Sequence, residues 1–78
     1  MTKELYNMFM TSAEADKAKA LLSLDLLGNK GVGIGDHSTG DFYKNAEEAL
    51  LMLVDADDRI TCLNTYYSKF KLKSQING

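Results

Sequence analysis

Residues 42–70 read FYKNAEEALLMLVDADDRITCLNTYYSKF, and this stretch decides the fold. Nine apolar residues recur in it at alternating steps of four and three, and we call this set the seam. Side chains at that spacing fall on one stripe of an α-helix. A stripe four heptads long has to be covered by another helix or by another copy of the chain. The seam comprises Phe42, Ala46, Ala49, Leu53, Ala56, Ile60, Leu63, Tyr67 and Phe70.

The first third of the chain predicts a second helix, over about residues 3–27. Residues 13–27 are rich in Ala and Leu, which are strong helix formers. Gly28-Asn29 is a typical C-terminal stop, so we expect the helix to end at Leu27. Thr11-Ser12-Ala13-Glu14 has the form of a capping box, which would start a helix at Ser12. The region is therefore either one continuous helix or a short N-terminal helix hinged onto a main one.

A glycine-rich connection over residues 28–37 leads into the seam helix. Ser38-Thr39-Gly40-Asp41 is a second capping-box pattern, and it predicts a helix from about residue 38 to 71. The polar residues 72–78 are expected to fray. The chain contains no proline that would interrupt either helix. We therefore predict a single all-α domain built as an antiparallel two-helix hairpin.

A lone hairpin buries little, and the seam helix predicts that more than one copy is needed. Residues 49–54 read ALLMLV and are apolar around the whole helix circumference, so one partner helix cannot cover them. We expect a homo-oligomeric helical bundle, with a dimer of four helices as the simplest form and higher assemblies open. Its predicted core is Phe42, Ala46, Ala49, Leu50, Leu53, Val54, Ala56, Ile60, Leu63, Tyr67 and Phe70.

Composition and the lengths of apolar runs argue against several classes of protein. The formal net charge of −2 argues against a nucleic-acid binder, which would carry an excess of Lys and Arg. Cys62 is the only cysteine, so no intrachain disulfide forms, and a reducing cytoplasm is expected. Met1–Leu5 lacks the apolar segment of a signal peptide. The longest apolar run is far below the roughly 20 residues of a membrane span, so we expect a soluble cytoplasmic protein without a membrane partner.

The glycine-rich connection is the candidate ligand site. Its glycines precede a helix N-terminus, where free backbone N–H groups and the helix dipole favour an anion such as a nucleotide phosphate. The spacing matches neither the dinucleotide fingerprint nor the Walker loop. An alternative is that the glycines form a turn that needs no ligand and lets Val32 and Ile34 close the end of the bundle. The candidate ligand residues are Lys30, Gly31, Gly33, Gly35, His37 and Ser38, with Tyr43 and Arg59 from a neighbouring copy.

No residue pattern indicates an enzyme, a metal site or a cofactor. His37 is the only histidine and has no second ligand or base nearby in the sequence. Asp55-Ala56-Asp57 begins like a calcium loop, but Arg59 and Ile60 stand where a ligand and a glycine are required. Cys62 has no neighbouring histidine or basic helper and is interpreted as a small packing residue.

Three segments resemble small uncharacterised proteins encoded by tailed bacteriophages, cyanophages included. These are the Val-Gly-Ile-Gly-Asp-His-Ser segment at 32–38, Asn-Ala-Glu-Glu-Ala-Leu at 45–50 and Asp-Ala-Asp-Asp-Arg-Ile at 55–60. The resemblance covers about residues 12–67. It implies a setting, an infected bacterial cytoplasm, more than a mechanism.

Two functional hypotheses follow, and neither is enzymatic. In the first, an oligomeric helical surface binds and blocks a host or phage protein, because the apolar surface exceeds what one hairpin covers. In the second, the oligomer is a sponge that sequesters an anionic small molecule or nucleotide signal at the glycine-rich loop, as an anti-defence function. The sponge hypothesis rests on an analogy of overall plan, because the sequence shares no motif with the known cyclic-nucleotide sponges.

Overall fold

The protein is an antiparallel hairpin of two long helices. The computed structural model describes residues 1–30 and 39–71, and in these it contains α1 (Lys3–Lys30) and α2 (Thr39–Tyr67), followed by a 3₁₀ turn (Ser68–Phe70). The helices pack along a rod whose longest dimension is 51 Å. Within these residues there is no strand, so the predicted all-α hairpin is confirmed.

α1 is one continuous helix, which settles the alternative between one N-terminal helix and two. The Leu5 backbone N–H donates to the Thr2 hydroxyl at 3.1 Å, so Thr2 caps the N-terminus. The helix then passes through Thr11–Glu14 without a break. A capping box stabilises a terminus only where the chain is free to start there, and Ala13 in its middle is fully buried, so packing holds the segment in the helix.

The C-terminus of α1 lies three residues beyond the predicted end at Leu27. Gly28 is helical, and no described glycine has a positive φ. Glycine ends a helix when it takes the left-handed conformation, and otherwise it only weakens the helix. The prediction of a stop at Gly28 was therefore wrong by almost one turn.

α2 is described from Thr39, so the predicted start at Ser38 lies outside the described residues, and the helix ends in a tighter turn. The helical bonding changes after Tyr67, whose φ of −132° and ψ of 26° leave the α-helical region, and the 3₁₀ turn follows. This turn places the Phe70 ring 6.0 Å from the Tyr6 ring, measured between centroids. The contact closes the end of the rod at which α1 begins and α2 ends.

The seam is the side of α2 that faces α1. Each of its nine residues is buried or half-buried, and the other described residues of α2 are exposed except Arg59. Ala56 is completely covered, and Ala49 and Leu63 are 7% exposed. The predicted apolar stripe is present, and a helix of the same chain covers it.

α1 contributes a matching stripe that apolar periodicity did not reveal. Tyr6, Ala13 and Ala20 are buried at seven-residue intervals. The half-buried positions beside them include charged and polar residues, which mask the pattern. The only signal in the sequence was the seven-residue repeat itself. The half-buried residues of α1 are Met10, Asp16, Lys17, Ser23, Leu24 and Leu27.

The core of the single hairpin is small. Six residues are buried in the described part of the chain, and four of them are alanines. Alanine adds little apolar area, whereas a fully buried leucine contributes about 1.5–3 kcal/mol. Small side chains at the contact line instead allow close approach of the two helix axes. Neither α1 nor α2 has a stretch long and apolar enough to cross a membrane.

Replacing Ala20 by Leu is expected to destabilise the hairpin by about 1–3 kcal/mol, because an added isobutyl group at a fully covered position overpacks the contact line. Ala18→Leu is the matched control, since Ala18 is exposed on the same helix. Urea unfolding followed by circular dichroism measures both. Equal stability of the two variants would contradict the close packing of α1 on α2.

Replacing Gly28 by Ala is expected to stabilise the fold by about 0.5–1 kcal/mol. A Cβ at this helical position meets no atom within 4 Å, and alanine favours the helix. Thermal unfolding provides the measurement. A loss of stability would show that Gly28 adopts the left-handed conformation of a helix stop, as the sequence alone had predicted.

Candidate interaction surface

The hairpin has two open flanks, and ion pairs identify them. Lys17 Nζ lies 3.0 Å from the Asp57 carboxylate on one flank. On the other flank the Arg59 guanidinium lies 2.7 Å from Asp16 and 3.0 Å from Asp55. We call these sides the Lys17 face and the Arg59 face. Residues three or four positions apart on a helix share a side, so each remaining position can be assigned to one face.

The Lys17 face is mainly apolar. Positions four residues after the buried Tyr6, Ala20, Ala49, Ala56 and Leu63 lie on it, and all are half-buried apolar residues. Near the start of α1 and the end of α2 this face forms an open groove of about 420 Å³, which polar residues also line, among them Asn7, Glu14 and Asn64. The half-buried apolar set is Met10, Leu24, Leu53, Ile60 and Tyr67.

The Arg59 face carries exposed apolar residues, among them Phe9 and Tyr66, and the second group of ion pairs. Arg59 Nη2 donates to Asp16 on α1, and its Nε donates to Asp55 one turn earlier on α2. These contacts, with the hydrogen bond to Asp16 first, raise the pKa of Arg59 above its ordinary value. A base whose pKa is raised on folding stabilises the folded state at every pH below the pKa that it has in the unfolded state. The stabilisation by these contacts is therefore constant throughout the neutral range.

A groove of about 430 Å³ opens on the Arg59 face toward the other end of the rod. Leu26 and Met52 form its apolar walls, and Asn45 and Glu48 provide polar groups at its edge. Leu26 is 47% exposed and Met52 is 43% exposed, so neither side chain is covered within one chain. This groove and the Asp16–Arg59–Asp55 cluster divide the face into an apolar and a charged half.

Exposed apolar residues of both helices lie at the same level of the rod. Lys17 pairs with Asp57, and residues 23–27 share a groove with residues 45–52, so residues 21–26 of α1 lie beside residues 50–54 of α2. Their exposed fractions run from 43% to 67%. We call this set the apolar belt, because its members point to both faces and to the outer sides of both helices. It consists of Leu21, Leu22, Leu26, Leu50, Leu51, Met52 and Val54.

The α2 half of the belt matches the prediction that residues 49–54 are apolar around the whole helix. Only Ala49 and Leu53 of that segment turn toward α1. The sequence did not predict that the α1 half of the belt belongs to a binding surface, because leucines in a helix are ordinarily core residues. Which leucines face outward depends on the rotation of α1 against α2.

The predicted oligomer core separates into two groups. The nine seam residues face α1 of the same chain, so their first partner is intramolecular. Leu50 and Val54, the other two, are 52% and 49% exposed and belong to the belt. Their burial by a second copy stays a prediction.

The predicted ligand site falls largely outside the described residues. This holds for Gly31, Gly33, Gly35, His37 and Ser38, and for the side chain of Lys30. Of the two remaining residues, Tyr43 is 60% exposed, and Arg59 is held by its two carboxylates. Sixteen residues of helix, about 24 Å, separate them within one chain, so a single copy does not bring them together.

The described residues contain no group of three or more His, Cys, Asp or Glu side chains placed to hold a metal ion. Cys62 is exposed and is not the semi-buried packing residue that the sequence predicted, because it lies beside the Arg59 face and outside the seam.

Comparison of the chain with known protein families, curated proteins and solved structures found no match.

Replacing Asp16 by Asn is expected to lower the melting temperature in dilute buffer, because Arg59 loses the carboxylate that links it to α1. The effect should shrink in 1 M salt, where the screening length is about 3 Å. Glu47→Gln removes the same charge from an exposed position of α2 and should leave the melting temperature unchanged. Identical melting curves for the two variants would show that the Asp16–Arg59 pair does not hold the helices together.

Proposed function

We propose that this protein is a non-enzymatic binding protein, which acts in an infected bacterial cytoplasm by occupying a host or phage protein through its apolar belt. The observation that carries the proposal is the exposure of seven large apolar side chains at one level of a rod only two helices wide. Contiguous apolar surface of this kind, bordered by polar groups, is typical of protein interaction sites. The setting comes from the resemblance to phage proteins and rests on that alone.

The groove on the Arg59 face supports the proposal most directly. The apolar walls formed by Leu26 and Met52 give contact area, and Glu48 at the edge of the groove offers an acceptor that restricts which side chains fit. Binding sites combine these features, since apolar burial supplies affinity and a few polar groups supply orientation. The neighbouring Asp55 and Asp16 carboxylates favour a partner with basic residues beside an apolar one.

The alternative function, a sponge for an anionic small molecule, rests on residues outside the described part of the chain. It therefore stays a prediction from the glycine pattern. The two functions use different residues for binding, so substitutions in the belt separate them.

The test uses the tagged full chain as bait in a lysate of the infected bacterium. The wild type should retain one host or phage protein in stoichiometric amount, and Leu26→Ser with Met52→Ser should reduce that amount at least tenfold. Met8→Ser with Tyr66→Ser is the matched control, because both residues are exposed apolar side chains outside the belt. The purified partner should then lose activity when the wild-type chain is added.

The proposal fails if no stoichiometric partner is recovered, or if the belt variant and the control variant retain the same amount. It also fails if the recovered partner keeps its full activity in the presence of excess wild-type chain. Circular dichroism of each bait confirms that the comparison is made between folded proteins.

A further inference from the structure

We infer that the open groove near the start of α1 and the end of α2 binds a free peptide of about three to four residues, with its amino group at Glu14 and its carboxylate at Lys71. The inference goes beyond the proposed function, because it assigns a small ligand to a surface that the apolar belt does not include.

The first step is the pair of charges in the groove. Glu14 and Lys71 both line it and are exposed, and neither forms an ion pair with another of the described residues. The charges in the middle of the rod differ from these, since Lys17 and Arg59 each reach a carboxylate of the other helix. The groove therefore offers one negative and one positive group to a ligand that carries both charges.

The second step is the distance between these charges. Lys71 follows Phe70, whose ring lies 6.0 Å from the ring of Tyr6, so Lys71 lies close to the level of Tyr6. Glu14 comes eight residues after Tyr6 in α1, which is about 12 Å at a rise of 1.5 Å per residue. A single amino acid is too short to reach both groups. An extended peptide advances about 3.3–3.6 Å per residue, so three to four residues span this distance.

The third step is the polar groups between the charges, which suit a peptide backbone. Asn7 and Asn64 line the groove from opposite helices, and each carboxamide has both donors and an acceptor. Tyr6 is 3% exposed, and its hydroxyl donates to Asn64 Oδ1 at 3.5 Å. This distance is far beyond the usual 2.7–2.8 Å of an O–H···O hydrogen bond. A peptide carbonyl in the groove would give the hydroxyl a closer acceptor.

The fourth step is the apolar part of the groove. Met10 and Ile60 are half-buried and line it from α1 and α2. An apolar side chain in the middle of the peptide would cover both, and apolar burial supplies affinity that charges exposed to water do not. The groove volume of about 420 Å³ also lies within the range of roughly 300–1,000 Å³ that is typical of small-molecule sites. A zwitterionic peptide with an apolar central residue therefore matches the groove in charge, length and polarity.

Isothermal titration calorimetry of the full chain with the tripeptide Ala-Leu-Ala tests the site. The wild type should bind one peptide. Acetylation of the peptide amino group and amidation of its carboxylate should each weaken binding at least about tenfold, because a hydrogen bond between charged groups contributes about that factor or more. Absence of saturable binding, or equal binding of the free and the blocked peptides, would overturn the inference.

Glu14→Gln and Lys71→Gln test which end of the groove holds which end of the peptide. Each variant should bind Ala-Leu-Ala at least about tenfold less tightly than the wild type. Acetylation should have little further effect on Glu14→Gln, and amidation little further effect on Lys71→Gln, because the blocked group has already lost its partner. Glu47→Gln and Lys44→Gln are the matched controls at exposed positions outside the groove, and they should bind like the wild type.

Additive effects of a charge variant and its blocking group would show that the peptide does not lie between Glu14 and Lys71, and would overturn the inference. Equal losses in the controls would do the same. Circular dichroism of each variant confirms that folded proteins are compared.

Tyr6→Phe supplies a further test, because it removes the hydroxyl and keeps the ring that packs on Phe70. It should weaken binding of Ala-Leu-Ala at least about threefold, which is the contribution of one neutral hydrogen bond. Unchanged affinity would show that the peptide does not reach the floor of the groove, and would overturn the inference. None of these results depends on the lysate partner, so either proposal can fail alone.

Discussion

The contact between the two helices is made by alanines at seven-residue spacing, and the rest of the structure depends on this constraint. Ala13 and Ala20 of α1 are completely covered, as is Ala56 of α2. Small residues at the centre of a helix pair let the backbones approach closely, and they also limit how much apolar area the contact line can bury. The larger apolar side chains are therefore displaced to the flanks, where one neighbouring helix covers them only in part.

This displacement explains why a small protein has so much exposed apolar surface. Tyr6 and Leu63 are the only large residues that are buried in the described part of the chain. A core of this size supplies only a few kcal/mol in a chain of this length, so additional burial is the usual source of stability.

The rod is divided into levels with different chemistry. Aromatic rings of Tyr6, Tyr67 and Phe70 close the end where α1 begins and α2 ends, ion pairs occupy the middle, and the apolar belt lies toward the other end. The ion pairs at the middle are partly exposed and contribute little stability individually. These ion pairs fix the register of α1 against α2, because a shift by one turn would separate Arg59 from Asp16 and Lys17 from Asp57. The register in turn places both halves of the belt side by side.

The helical hairpin and the side of α2 that faces α1 follow from the residue pattern alone. Every seam residue from Phe42 to Phe70 lies where its spacing predicted, because a regular period of apolar residues leaves a helix only one side to bury. The sequence also located the α2 half of the belt, since residues 49–54 are apolar in every direction. Local patterns at chain ends were weaker guides. Thr11–Glu14 did not start a helix and Gly28 did not end one, because capping preferences of about 1 kcal/mol are overridden by packing and helix continuity.

Only the tertiary structure decided how α1 faces α2. Asp16 and Lys17 are adjacent in the sequence, yet they pair with α2 on opposite flanks. Apolar character alone does not distinguish Leu24, which is half-buried, from Leu22, which is 60% exposed. That difference follows from the rotation of one helix against the other, which the close contact of the alanines and the two cross-helix ion pairs set together. The candidate surface exists because of that rotation, and it could not be derived from either helix alone.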